Sequence, residues 1–154
     1  MEYLVHVAQL YKNYSSDKNI TFVGVHVRRG DRVRLQHYRV ASKSYIVRAM
    51  NDFRHNFTRV HFIVCSDDLP WCKENLGQQK NVSFSDSKSP VTDFAILSLC
   101  NHTVSTVGTF SWWVGWMAGG VTTYYTRFGN TSTYMFKDVK FADYFLPNWI
   151  PMSD

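Results

Sequence analysis

Long apolar runs are missing from this chain: the longest candidate, Val107 to Tyr125, is broken by glycine, serine and threonine and lacks the flanking charges of a membrane-spanning helix. Cysteines are few. Cys65, Cys72 and Cys100 exclude a disulfide-built scaffold and allow at most one bridge plus a free thiol, and no C-x-x-C spacing points to zinc. Cys65 and Cys72 read as core and helix thiols, since no histidine is placed to activate them. There is no lysine-rich tail or polybasic block either: the net charge of +5 and pI near 9.2 come from scattered residues. That balance favours a phosphate-bearing ligand. A nucleic-acid module is a poor fit, because base-stacking aromatics interleaved with a basic face are not evident. The opening MEYLVHVAQLYKNY lacks the charged start, apolar core and small-residue cleavage site of a signal peptide, so neither a membrane span nor an export signal is expected in these residues.

What is present is ample material for one core. A chain of 154 residues that is 45% hydrophobic and 16% aromatic is too apolar for disorder, and one domain of this size buries roughly 70% of its unfolded surface. Asparagine use is uneven. Six of the nine asparagines open an N-x-[ST] sequon: Asn13, Asn19, Asn56, Asn81, Asn101 and Asn130. Either the composition is simply rich in Asn and Thr, or the chain belongs in a lumenal or extracellular compartment.

Periodicity sets the architecture. Leu4, Val7, Ala8 and Tyr11 recur at helical spacing, and Ile20 to Val27 alternates as a strand. Ser42 caps a helix carrying Ile46, Met50, Phe53 and Phe57, and VHFIVC (Val60 to Cys65) reads as a buried strand. A helix over Pro70 to Leu76 stops at Gly77, and a short strand spans Val82 to Phe84. Ser89 and Pro90 then open a helix through Leu99. Val104 to Val107 is a further strand, Ser111 caps a helix over Trp112 to Ala118 that ends at Gly119 and Gly120, and Val121 to Tyr125 returns as a strand. Strands alternating with helices at this spacing predict βαβ crossovers and a Rossmann-like open parallel sheet with helices on both faces.

On that reading polar clusters fall just after successive strands: His26, Arg28, Arg29 and Asp31; then Ser66, Asp67 and Asp68; then Asp86; then Thr106, Gly108 and Thr109. In open α/β sheets the carboxyl ends of the strands are where ligands bind. His26 and Arg28 share a strand parity opposite Val25 and Val27, and Gly30 lets the chain turn there. Arginine presents a planar fork matched to phosphate oxygens; the plain alternative is a surface ion pair with Asp31. TVGTFS, Thr106 to Ser111, brings hydroxyls, a glycine and the free amides of a helix start, which together make an anion site. An arginine facing a helix N-terminus reads as a diphosphate cradle that needs no metal. Asp67 and Asp68 are open to two readings, a metal-binding acidic pair or a helix cap with a dipole partner. Asp93 lies in the first turn of the Pro90 helix. Trp112, Trp113 and Trp116 read as core packing, with sugar stacking open to one ring.

Taken together, VGVHVRRGD, CSDDLPWCKENL and DFAILSLCNHTVSTVGTFSWWVGWMAGG resemble the sequence blocks of the galactoside alpha-1,2-fucosyltransferases, and FLPNW resembles that family's C-terminal segment. The resemblance runs from about Thr21 to Trp149. It implies half of a GT-B glycosyltransferase, a Golgi lumenal enzyme that moves fucose from GDP-fucose to a galactose-terminated glycan with inversion and without metal or other cofactor. By the same resemblance Arg28 or Arg29 carries catalysis by binding the β-phosphate, His26 and Asp93 sit at the guanosine end, Asp31, Ser66, Asp67 and Asp68 order the donor site, and Thr106, Gly108, Thr109 and Phe110 hold the diphosphate. Members of that family are about twice this length, with a membrane anchor, a stem and an acceptor domain not expected in this chain, and they commonly carry an aromatic where Arg32 stands. Residues 1–154 are therefore expected to form a single GDP-fucose-binding domain with no catalytic base identifiable. The alternative is a fragment or pseudoenzyme that binds GDP or GDP-fucose without transfer.

Overall fold

The computed structural model describes residues 19–154, so the expected helix around Leu4 to Tyr11 lies outside the described residues. Six strands form one parallel sheet in the order β3-β2-β1-β4-β5-β6. They are β1 Thr21–Val27, β2 Val60–Ser66, β3 Val82–Phe84, β4 His102–Ser105, β5 Thr122–Tyr125 and β6 Ile150–Met152. The helices are α1 Lys43–Asn56, α2 Leu69–Leu76, α3 Pro90–Ser98, α4 Thr109–Ala118 and the single turn α5 Phe141–Tyr144, and a 3-10 turn spans Gly30–Arg34. Among the described residues no helix is long and apolar enough to cross a membrane.

Period-two patterning decides which face each strand residue serves. Val23, Val25 and Val27 join Val60, Phe62 and Val64 in a core against Tyr45, Ile46, Met50 and Phe53 of α1 and Cys72 and Leu76 of α2. Phe22, Ile63 and Cys65 point the other way, against Ile96, Leu97 and Cys100 beside α3 and Val114 of α4. Both faces are covered, which is why β1 and β2 read as near-continuous apolar runs. All three cysteines are buried, and none is assigned to a disulfide.

Most boundaries follow the local chemistry. Ser42 Oγ accepts from Tyr45 N at 3.1 Å and Ser89 Oγ from Thr92 N at 3.3 Å, so both capping residues act as expected. Two expectations are corrected. The fourth strand begins and ends two residues early, because His102 to Ser105 is what pairs with Val23 to His26 on β1. Helix α4 begins at Thr109 with Gly108 as its N-cap, so Ser111 lies buried in the first turn instead of capping it. The edge strand β6, IPM, has too few residues and too little alternation to stand out in the sequence; parallel pairing with Thr123 to Tyr125 defines it.

Gly24 lets α3 seat closely on the centre of the sheet. A Cβ there would lie 3.0 Å from Leu97 Cδ2 and 3.4 Å from Cys100 Sγ. Gly24→Val is therefore expected to cost about 1–3 kcal/mol by overpacking, read as a lower urea midpoint at unchanged slope; an unchanged midpoint would contradict the close seating of α3 on β1.

Candidate active site at the strand carboxyl edge

From β1 the chain runs to β2 and β3 on one side, then crosses back to β4 on the other. Connections that diverge from neighbouring strands leave a crevice outside their carboxyl ends. A cleft of about 420 Å³ opens there, lined by His26, Arg28, Ser66, Asp67, Ser87, Lys88, Pro90, Asp93 and Phe110, within the size range of small-ligand pockets. A second depression of about 310 Å³, with Arg54, His61 and Asn81 in its wall, lies at the opposite edge of the sheet.

Asp67 ties the two strand ends together. Its Oδ1 accepts from the backbone N–H of Arg29 at 2.8 Å, and its Oδ2 accepts from the guanidinium of Arg28. The other guanidinium nitrogen of Arg28 donates to Asp31, so the surface ion pair expected as the plain alternative is present as well. Arg28 also donates its backbone N–H to Thr106 Oγ1 at 3.0 Å, which spans from the end of β1 to the end of β4. Exposed or half-exposed ion pairs stabilise little, ~1 kcal/mol or less; the consequence of this one is geometric. Arg28 is held at the cleft mouth and still lines it.

Arg29 is placed differently. Its guanidinium lies 3.9 Å over the Trp71 ring and its Nε is 3.5 Å from Asp68 Oδ2, a stacked arrangement against α2. Asp68 is the N-cap of that helix, accepting from Trp71 N at 3.3 Å, while Ser66 Oγ donates to Val27 O at 2.7 Å and accepts from Asp68 N at 2.9 Å. Of the acidic pair, Asp68 is thus the cap, and Asp67 is the arginine clamp. Among the described residues no group of three or more His, Cys, Asp or Glu is disposed to hold a metal ion.

The opposite wall comes from α3 and α4. Ser85 Oγ donates to Asp93 Oδ1 at 2.7 Å, and burial together with nearby Asp93 pushes the Cys65 thiol well up, which keeps it protonated. Phe110 lies between two rings, with centroids 4.5 Å from His26 and 5.4 Å from Phe94. Gly108 sits at φ 96°, and α4 has no side-chain cap. A left-handed residue at that point is easy only for glycine. It leaves the first-turn amides of Thr109, Phe110 and Ser111 without intrahelical partners, at the end of the helix where negative charge is favoured.

His26 Nδ1 is hydrogen-bonded to Ser111 Oγ, the residue expected to be the cap. Burial, reinforced by Arg28, lowers its pKa to about 3, so the ring is neutral at physiological pH and joins β1 to α4 as a neutral donor–acceptor.

The structure thus brings His26, Arg28, Ser66, Asp67, Asp93 and Phe110 to one cleft. Thr106 borders it through Arg28, whereas Arg29 and Asp68 turn toward α2 and Asp31 lies on the exposed side of Arg28. Asp86 is exposed beyond β3. Two basic residues were missed by the sequence reading. Lys88 lines the cleft, with no pattern beyond its place after the third strand to mark it. Arg32, noted only as a departure, stacks its guanidinium 3.6 Å over Tyr38, and its Nη2 lies 3.7 Å from where a Cβ on Gly108 would sit. Its signal was the density of RRGDR itself. It also lines a separate hollow of about 220 Å³ beyond Gly108, with Thr109 and Tyr144.

A doubly wound parallel sheet with a polar cleft at its switch point, lined by cations and carboxylates alike, defines an α/β domain of the kind found in GT-B glycosyltransferases. The structure superposes on a family 9 glycosyl transferase from Veillonella parvula with a TM-score of 0.62 at 11% identity, covering 100% of this chain and 41% of that one. It matches the alpha-1,6-fucosyltransferase NodZ co-crystallised with GDP with a TM-score of 0.51 at 17% identity, covering 67% of this chain and 36% of that one. At these identities the likeness is one of fold. The sequence goes further: residues 4–153 match the model of Glycosyl transferase family 11, and the chain belongs to that family. It is 38% identical over 155 residues to human galactoside alpha-(1,2)-fucosyltransferase 1, covering 96% of this chain and 42% of the relative. Against the same enzyme of Leontocebus fuscicollis the identity is 40% over 147 residues, with 90% and 40% covered. The chain spans about two fifths of the length of these relatives.

Since burial favours neutral His26, the folded chain binds fewer protons than the unfolded one at acid pH. Its contribution to stability is complete above the unfolded value of 6.5 and is lost as the pH falls toward about 3. His61 and His102 shift in the same direction, also by burial. The melting temperature is expected to fall through this window, and His26→Asn, neutral throughout, to fall less steeply; parallel curves for the two proteins would contradict a buried neutral His26.

Proposed function

We propose that this chain is the donor-binding half of an inverting, metal-independent alpha-1,2-fucosyltransferase that takes fucose from GDP-fucose to a galactoside hydroxyl in the Golgi lumen. The single observation that carries this reading is Arg28, clamped by Asp67 at the mouth of the cleft, with the uncapped N-terminus of α4 beside it. Family membership and the named activity of the relatives support the fucosyl chemistry.

The steps follow from charge. As the bond from the anomeric carbon to the diphosphate breaks, negative charge grows on the departing GDP. Arg28 and the amides of Thr109 to Ser111 offset that charge from groups already in place. An acceptor hydroxyl attacking from the opposite face gives inversion. Because Asp67 and Asp68 are occupied by arginines and backbone amides, cationic side chains and helix amides take the role a divalent ion would otherwise have. On the nucleoside side, His26 and Phe110 provide an aromatic wall and Asp93 an acceptor for ring N–H groups.

Calorimetric titration with GDP, GDP-fucose, UDP and ATP, in the presence of chelator, tests the reading. Guanine nucleotides are expected to bind and the other two to bind at least ~10-fold more weakly, a difference of about 1.4 kcal/mol. Arg28→Lys keeps the charge but loses the fork, and is expected to weaken GDP by about 10-fold or more. Arg29→Lys is expected to lower stability by about 1 kcal/mol through its lost stacking on Trp71 while GDP affinity of the folded chain is kept. The opposite pattern would move the phosphate anchor to Arg29. Binding of GDP without fucosyl transfer to a galactoside would support the donor site and restrict the chain to nucleotide binding.

A further inference from the structure

The hollow of about 220 Å³ beyond Gly108 is smaller than the roughly 300 Å³ at which drug-sized ligand pockets begin, so it has room for one sugar ring and not for a nucleotide. Its wall is aromatic. The rings of Tyr38, Phe136, Phe128 and Tyr144 follow one another with centroids 5.4, 5.9 and 5.6 Å apart. An antiparallel bridge between Tyr38 and Gly129 ties together the two loops that build this wall, one after β1 and one after β5. Among the sequon asparagines Asn13 lies outside the described residues, while Asn130 reinforces that tie: its backbone N–H donates to His37 O at 3.0 Å and its side-chain amide to Gln36 O at 3.3 Å.

One cation serves this wall. Arg32 is half-buried and lines the hollow, with its guanidinium 3.6 Å over the Tyr38 ring. Among the described residues no carboxylate pairs with it: Asp31 is taken by Arg28, and Asp138 lies 3.9 Å from Lys137 Nζ. A guanidinium without a counter-ion is matched to an anion with two oxygens in its plane. Tyr144 supplies a neutral polar group, since burial and nearby Tyr38 raise its pKa against the pull of Arg32; its hydroxyl can donate to and accept from a sugar hydroxyl. Gly108 and Thr109 line the hollow, while Phe110, next in the chain, lines the cleft. A ring held in the hollow therefore lies across the start of α4 from the nucleoside. Fucose is neutral and offers a guanidinium nothing to pair with, and the leaving diphosphate meets Arg28 and the α4 amides from the cleft. The anion that suits Arg32 has to come from the other reactant.

We infer that this hollow holds a sugar ring of the acceptor, and that the ring is anionic: a hexopyranoside whose carboxylate or sulfate ester pairs with Arg32. The aromatic wall takes the C–H face of the ring, and the Tyr144 hydroxyl meets one of its hydroxyls. Arg32 then selects the acceptor by charge, because a neutral galactoside in the same place leaves the guanidinium unpaired. Calling the ring part of the acceptor rests on the transferase reading above; the binding of an anionic sugar at Arg32 does not.

The test is a saturation-transfer NMR titration of the full chain, without nucleotide, with methyl β-galactopyranoside, its 6-sulfate and the corresponding methyl galactopyranosiduronate. The sulfate, the uronate or both are expected to bind ~10-fold more tightly than the neutral sugar, and comparing the two charged probes shows which anion the fork prefers. Arg32→Gln is expected to abolish the preference, and Arg32→Lys, which keeps the charge without the fork, to retain a smaller one. Arg34→Gln, at an exposed position on the same 3-10 turn, is expected to leave it unchanged; melting temperatures confirm that each variant is folded. Saturating GDP-fucose is expected to leave the charged sugar bound. Equal binding of charged and neutral sugars, or no binding of either, would overturn the proposal, as would a preference that survives in folded Arg32→Gln. Displacement of the sugar by GDP-fucose but not by GDP would overturn it by giving the hollow to the donor's fucose, and a ~10-fold loss of GDP affinity in Arg32→Gln would overturn it by giving the guanidinium to the diphosphate. Because the sugar titration contains no nucleotide, it can succeed where GDP fails to bind, and GDP can bind where it fails.

Discussion

Strand β1 is hydrogen-bonded along both edges, to β2 from Thr21 to Val27 and to β4 from Val23 to His26. A strand held on both sides lies inside the sheet, and because parallel crossovers are right-handed, those that build the sheet to either side of β1 pass over opposite faces. With β2 and β4 entered from different directions, α1 and α2 cover one face while α3 and α4 cover the other. The crevice at the carboxyl end of β1 follows from that wiring and not from any special loop. Two side chains of β1 and its extension, His26 and Arg28, then point into it.

Within that frame the site is fixed by a small number of polar contacts between strand ends. Asp67 at the end of β2 holds both the backbone and the side chain that follow β1, and Thr106 after β4 receives the amide of Arg28. These pairs add little to stability one by one. They limit how far Arg28 can move, and a charge already in position needs no reorganisation as a leaving group departs. The buried bond from His26 to Ser111 ties α4 to the same strand, so the helix whose N-terminus faces the crevice is indexed to the strand that carries the arginine.

Much of this was legible in the residues. Parallel strands buried on both faces announce themselves as VGVHV and VHFIVC, and Ser42 and Ser89 cap the helices they were expected to cap. What periodicity could not separate was the role of neighbours with the same chemistry. Arg28 shares the parity of His26, but the choice between Arg28 and Arg29 as phosphate anchor stayed open until the clamp of Asp67 held one at the cleft and the ring of Trp71 on α2 took the other. Asp67 and Asp68 divide in the same way, one into a clamp and one into a cap. Ser111 looked like a cap because serine before an apolar helix usually is one; the left-handed Gly108 took that position and left the serine for His26. Arg32 and Lys88 reach the site region through tertiary packing that no local pattern encodes.

The central claim is that ligand binds at the carboxyl edge, between the ends of β1 and β4, and hydrogen-exchange mass spectrometry with and without GDP tests it most directly. Slowed exchange is expected in peptides covering residues 26–34, 66–69, 85–93 and 106–111, with no change at the amino-terminal edge around residues 54–60 and 81. Protection at that opposite edge, or none anywhere under saturating GDP, would contradict the account.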